Sequence, residues 1–145
     1  MCGAHAAVRT LVGELVGSQE RPTVLDIEAG LEHLSRGTAR HVDTILIVAE
    51  PYFKSMETAA RMNELARELG IGRVFVVANK VRTPADEAAL REFFAGRGVE
   101  VGAVVPDDET VLRADRQGIA PLDVDADAPS MRVIANLASE LRSRA

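Results

Sequence analysis

Residues 44–49 read Thr-Ile-Leu-Ile-Val-Ala and residues 74–78 read Val-Phe-Val-Val-Ala, and these two runs decide the fold. Both are apolar along their whole length, without the polar alternation of a strand that has one solvated face. Such runs predict strands of a parallel sheet that helices cover on both faces. Two further runs, 23–27 and 99–105, predict two more buried strands of the same sheet.

Helical patterns lie between and after these runs. Ser55 is predicted to cap a helix that runs to Leu69, before Gly70 stops it. Thr83 and Pro84 predict the start of a helix that ends at Gly96. The other predicted helices span 6–16, 110–116 and 130–144, the last with Ile134, Leu137 and Leu141 buried, and 121–129 is predicted to be an acidic loop. The alternation predicts a single α/β domain over residues 1–145 with a parallel, right-handed sheet.

The composition and the apolar runs of the chain argue against several classes of function. The chain has 17 basic and 22 acidic residues, with a net charge of −5 and no basic patch, which argues against binding nucleic acid. No apolar run is long enough to cross a membrane, and the N-terminal residues lack the pattern of a secretion signal. With Cys2 as the single cysteine, the sequence predicts a cytoplasmic protein.

The strand ends are where a parallel α/β sheet binds ligands. Asp26 closes the first predicted strand, with Gly30 four residues later, and Glu50-Pro51 closes the second. Asn79-Lys80 closes the third, and Pro106-Asp107-Asp108 closes the fourth. Each signal alone has a plain structural alternative, because glycine, asparagine and proline are common turn residues and an aspartate often begins a helix.

Taken in order, these four strand ends resemble those of the MinD and ParA group of deviant P-loop ATPases. Within that group the chain resembles most closely the CooC-type accessory ATPases of carbon monoxide dehydrogenase maturation. The most specific stretch is 25–38, Leu-Asp-Ile-Glu-Ala-Gly-Leu-Glu-His-Leu-Ser-Arg-Gly-Thr, which is similar to the CooC-type switch II segment. The resemblance extends from Met1 to about Leu141, and it implies a P-loop NTPase fold.

The resemblance also implies roles for single residues. Asp26 would be the Walker B acid that acts on Mg²⁺ through water, and Gly30 would lie near the γ-phosphate of ATP. The adenine side of the site would comprise Asn79, Lys80, Pro106, Asp107 and Asp108. The residues that report the nucleotide state to a partner would be Glu28, Glu32, His33 and Arg36. The family is dimeric, so the resemblance implies a homodimer and, as a client, a nickel enzyme such as carbon monoxide dehydrogenase.

The sequence departs from the family in two respects. It contains no Gly-x-x-x-x-Gly-Lys-Ser/Thr phosphate loop, so we expect the C-terminal portion of an ATPase domain that is inactive alone. The family's paired cysteines are linked to Ni²⁺ or Zn²⁺ at the dimer interface, whereas this chain has only Cys2, with His5 three residues on. A Cys-x-x-His pair from each of two subunits could supply four ligands, but a terminal thiol without a metal is the simpler interpretation.

Two other functions stay open at this point. One is a protein-interaction module that does not need nucleotide and that uses the surface around residues 32–38. The other is a positioning protein of the MinD or ParA type.

Overall fold

A computed structural model describes residues 23–27 and 42–143. These residues fall into two compact units, the first containing 23–27, 42–45 and 61–74 and the second containing 46–60 and 75–143. The predicted helix over 6–16 lies outside the described residues. None of the helices within them is long and apolar enough to span a bilayer.

Three strands and five helices follow one another along the described chain. The strands are β1 (Thr44–Ala49), β2 (Arg73–Val81) and β3 (Val101–Pro106). The helices are α1 (Phe53–Glu68), α2 (Pro84–Ala95), α3 (Glu109–Gln117), α4 (Pro121–Val124) and α5 (Pro129–Ser143). The sequence predicted β1 to the residue, and it placed α2 and α3 within a residue or two of their observed ends.

The strands form one sheet in the order β1–β2–β3, and β2 pairs with β3 in parallel. Helices α2 and α5 both pack against β3. In the second unit the buried side chains include Ile47 of β1, Val76 of β2 and Leu90 and Phe94 of α2. In the first unit, Ala66 of α1 is fully buried among partly buried aliphatic side chains of 42–45 and 61–74. The predicted parallel α/β fold is therefore confirmed.

The predicted strand over 23–27 is wrong, since these residues have no regular secondary structure. Val24 is 92% exposed and Ile27 is 42% exposed. A central strand of a parallel sheet needs hydrogen-bonding neighbours and cover on both faces. The short β-branched run cannot supply either by itself, so its composition was not sufficient to form a strand.

Helix α1, strand β2 and the segment 121–129 also differ from the predictions. Helix α1 begins at Phe53, because the Tyr52 carbonyl accepts hydrogen bonds from the Ser55 and Met56 N–H groups, and Ser55 therefore lies inside the first turn. Strand β2 continues three residues beyond the predicted end, through Val81. The segment predicted as an acidic loop contains the short helix α4.

The buried face of the last helix also differs from the prediction. Ile134 is 46% exposed, whereas Ser130 and Met131 at the start of α5 are buried. The helix therefore makes its deepest contacts through its first turn. Apolar periodicity identified the helix but not the part of it that is covered, because cover depends on elements that are distant in sequence.

Candidate functional site

The carboxyl end of β2 contains a β-bulge at Asn79 and Lys80. Ala78 pairs with Val104 and Val81 pairs with Pro106, so two residues of β2 lie opposite one residue of β3. Lys80 has a φ of 53°, and it is the only non-glycine residue with a positive φ among the described residues. A non-glycine residue in the left-handed region costs about 1 kcal/mol or more. Bulges are frequent next to active sites, where they redirect side chains out of the regular strand.

An ion pair joins the end of β1 to this bulge. The Lys80 Nζ donates to Glu50 Oε1 at 2.8 Å. The hydrogen bond and the charge of Glu50 raise the pKa of Lys80, and Asp107 and Tyr52 add smaller contributions in the same direction. Glu50 is held in turn by its backbone N–H, which donates to Ser55 Oγ at 3.0 Å. The ammonium group of Lys80 is therefore already engaged by a carboxylate.

A second ion pair joins the end of β2 to the end of β3. Arg82 Nε donates to Asp107 Oδ2 at 2.6 Å. The backbone N–H of Asp107 donates to the Val81 carbonyl at 3.0 Å, which fixes the loop after β3 against the end of β2. The Arg82 backbone is itself fixed, because its N–H donates to Asp86 Oδ2 at 3.1 Å. The ends of all three strands are thus linked at one edge of the sheet by two charged contacts.

Asp108 connects the first turns of two helices. Its Oδ1 accepts from the Thr110 N–H at 2.8 Å, which caps α3. Its Oδ2 accepts from both the N–H and the Oγ of Ser130, in the first turn of α5, at 3.1 and 2.9 Å. These hydrogen bonds lower the pKa of Asp108 to about 2, the backbone bonds from Ser130 and Thr110 contributing most. Helix N-termini favour a negative charge, so one carboxylate stabilises both.

Asn79 differs from its charged neighbours. Its side chain is partly exposed and takes no part in the side-chain hydrogen bonds that join the strand ends of the described chain. A carboxamide offers paired donor and acceptor groups, the arrangement that matches the edge of a purine base. The end of β2 therefore carries a neutral polar side chain, Asn79, close in sequence to two cations that are already paired with carboxylates, Lys80 and Arg82.

Two curated proteins are similar in sequence to most of this chain. The chain is 36% identical over 124 residues to the carbon monoxide dehydrogenase accessory protein CooC of Rhodospirillum rubrum, with 86% of this chain and 46% of that protein aligned. It is 40% identical over 129 residues to an uncharacterised ATP-binding protein of Methanocaldococcus jannaschii, with 88% and 49% aligned. No family model matches the chain.

The fold has solved counterparts. The septum site-determining protein MinD of Pyrococcus horikoshii, solved with Mg-ADP, superposes with a TM-score of 0.76 over 94% of this chain and 56% of MinD, at 18% identity. The chain is homologous to CooC and to ATP-binding proteins, and its fold is that of MinD and ParA. It spans about half the length of the curated relatives that it matches.

The structure brings together part of the predicted site. Asn79, Lys80, Pro106 and Asp107 lie at the same sheet edge, within the second unit. Asp108 lies there too, with its carboxylate engaged by the two helix starts. Asp26 belongs to the first unit and is exposed. The other predicted residues lie outside the described residues: Cys2, His5, Glu28, Gly30, Glu32, His33 and Arg36.

Sequence reasoning missed two residues of this edge, since Arg82 pairs with Asp107 and Ser130 binds Asp108. Ser55, which was predicted as a helix cap, instead accepts a hydrogen bond from the Glu50 N–H. Arg82 follows the Asn-Lys pair by only two residues, which is a signal that could have been used. The Ser130 contact spans 22 residues and left no local pattern. Within 23–27 and 42–143, no three histidine, cysteine or acidic residues are grouped as metal ligands.

Proposed function

We propose that this chain is the C-terminal part of a CooC/MinD-like ATP-binding protein and that the ends of β2 and β3 hold the adenine base. The observation that carries the proposal is the bulge at the end of β2, which places the partly exposed Asn79 next to the paired residues Val81 and Pro106, where the loop after β3 begins. Homology to ATP-binding proteins over most of the chain supports it. Its fold, shared with a MinD that binds Mg-ADP, is compatible with it.

The chemistry of the edge fits a base better than it fits phosphate groups. Both cations next to Asn79 are paired, Lys80 with Glu50 and Arg82 with Asp107. A phosphate would have to compete with these carboxylates, whereas a neutral base needs only a donor, an acceptor and an apolar face. Phosphate binding would rely on Asp26 and Gly30, with Mg²⁺ neutralising the charge, together with a glycine-rich loop.

The role proposed for the whole protein rests on the resemblance to CooC-type proteins. In the proposed function, ATP binding promotes formation of a homodimer, and the nucleotide state is passed to a client by Glu28, Glu32, His33 and Arg36. Homology to a carbon monoxide dehydrogenase accessory protein favours a client that is a metal enzyme. Insertion of nickel, and a Ni²⁺ or Zn²⁺ ion shared by Cys2 and His5 of two subunits, would be the corresponding metal chemistry.

The 145-residue chain should bind ATP weakly. It contains no glycine-lysine phosphate loop, so most of the contacts to phosphate groups are missing. We expect calorimetry with Mg-ATP to show no binding tighter than millimolar. Micromolar affinity would contradict the division of the site into a base side and a phosphate side.

Saturation-transfer NMR is suited to such weak binding and tests the base site directly. With ATP in millimolar excess, we expect transfer to the H2 and H8 protons of adenine. Asn79→Ala should weaken binding about tenfold, because it removes two hydrogen bonds of about 0.5–1.5 kcal/mol each. Asn79 is partly exposed and takes no part in the two ion pairs of this edge, so this substitution should leave stability nearly unchanged.

Asn136→Ala is the matched control, since Asn136 is an exposed asparagine on α5. It should not change the saturation transfer. GTP should give a weaker signal than ATP, because its base presents a different pattern of donors and acceptors. Equal signals from the wild type and Asn79→Ala would refute the base site. No transfer from any nucleotide would favour the nucleotide-independent interaction module instead.

A further inference from the structure

Arg82 makes contacts through both its side chain and its backbone at the strand edge. Its guanidinium is anchored by Asp107, which follows β3, and its backbone is anchored by Asp86 in the first turn of α2. Val81 and Pro106 are paired in the sheet, so Arg82 and Asp107 are the next residues beyond the last paired position. The ion pair therefore lies directly over the end of the β2–β3 ladder, three residues after Asn79.

Stability of the fold is a poor explanation for this pair. The side chains of Arg82 and Asp107 are 71% and 41% exposed, and exposed ion pairs contribute little to stability. Only Nε of Arg82 is used, and the two terminal nitrogens form no hydrogen bond within the described chain. The Arg82 side chain is thus largely exposed to solvent while its Nε contacts Asp107.

We propose that Arg82, positioned by Asp107, is a stacking platform for the purine base at this edge. The inference rests on the proposed base site, and it adds a second residue, three positions after Asn79, that contacts the base. A guanidinium stacks on a base through its flat face, and this contact tolerates different purines. Asn79 then reads the edge of the base, while Arg82 covers its face.

The Asp107 carboxylate has two effects in this arrangement. It fixes the rotation of the guanidinium, so that less side-chain freedom is lost when a base binds. It also compensates the positive charge of Arg82, so the pair presents little net charge to a phosphate group. Asp107 is accordingly a positioning residue, and Arg82 is the residue that touches the base.

Substitution of Arg82 by lysine tests whether stacking or positive charge accounts for binding of the base. Arg82→Lys keeps the positive charge and removes the planar face. We expect Arg82→Ala and Arg82→Lys each to weaken adenosine binding at least about fivefold, which is the lower end of what a base stacked on a side chain contributes. Asp107→Asn should give a smaller loss, because Arg82 remains but is no longer fixed.

The experiment titrates the complete chain with adenosine and, separately, with ATP, and follows amide shifts and saturation transfer by NMR. The controls are Arg91→Lys and Glu87→Gln, since Arg91 Nε donates to Glu87 Oε1 at 2.8 Å in an exposed pair on α2. This pair is also an exposed arginine–carboxylate contact, but both of its residues belong to α2 and neither follows a strand. The controls should leave both affinities unchanged, and the urea midpoints of all variants should match that of the wild type.

The outcomes are distinguishable. Parallel losses for adenosine and ATP in both Arg82 variants support the stacking platform. If Arg82→Lys binds both ligands like the wild type, or if only ATP binding is weakened, the platform is refuted while the base site at Asn79 stands. If wild-type chain shows no transfer from adenosine at millimolar concentration, the base site and the platform are both refuted.

Discussion

Asp108 provides a stringent test of how the second unit is held together. Its carboxylate caps α3 through Thr110 and binds two donors of Ser130, whose side chain is fully buried. Loss of an N-cap costs about 1 kcal/mol. Leaving the buried Ser130 donors without an acceptor costs about 1–3 kcal/mol more. We therefore expect Asp108→Ala to lower the free energy of unfolding by about 2–4 kcal/mol.

The same contacts predict a dependence on pH. The pKa of Asp108 is lowered from 3.8 to about 2 in the folded protein. A carboxylate with a lowered pKa contributes stability that is complete above the unfolded value and is lost as the pH falls through the folded value. The contribution should therefore disappear between about pH 4 and pH 2. Because the side chain is partly exposed, we expect about 1–2 kcal/mol rather than the full value of the shift.

Urea unfolding followed by circular dichroism measures both effects. The free energy of unfolding should be determined at pH 7 for the wild type, Asp108→Ala and Asp107→Ala. It should also be followed from pH 5 to pH 2 for the wild type, Asp108→Asn and Asp107→Asn. The adjacent Asp107 is the matched control, because its carboxylate forms only an exposed ion pair, with Arg82. The reasoning is wrong if Asp108→Ala costs no more than Asp107→Ala, or if Asp108→Asn keeps the wild-type slope below pH 4.

Two further predictions use the same measurement of unfolding by urea. Thr83→Ala should lower the free energy of unfolding by about 1 kcal/mol, because Thr83 and Asp86 form a reciprocal capping box at the start of α2. The control is Thr58→Ala, which removes a hydroxyl that donates to the Lys54 carbonyl within α1 and should be neutral or stabilising. Equal costs for the two variants would exclude the capping box as the cause. Lys80→Gly should change the free energy of unfolding by less than about 1 kcal/mol, because relief of the positive φ offsets the lost ion pair. Lys80→Val should be clearly more destabilising than Lys80→Gly, and the reverse order would show that the left-handed backbone is not what the position requires.

The sequence alone was sufficient for the fold class and for most helix ends. Continuous apolar runs at β1 and β2 indicated a parallel sheet, and Thr83-Pro84 and Gly96 marked the ends of α2. These signals are local, because strand character, caps and breakers depend on residues within a few positions of each other. The four predicted strand ends together with the stretch 25–38 were also sufficient for the resemblance to CooC-type proteins, which the homologues confirmed.

Tertiary structure decided the features that arise from pairing between distant residues. The bulge at Asn79 and Lys80 exists only because β2 pairs with β3, and the links Glu50–Lys80, Arg82–Asp107 and Asp108–Ser130 join residues 22 to 30 positions apart. Sequence periodicity does not reveal contacts between residues so far apart in the chain. For the same reason the apolar run over 23–27 was predicted as a strand and is not one, since a strand is defined by its neighbours in the sheet.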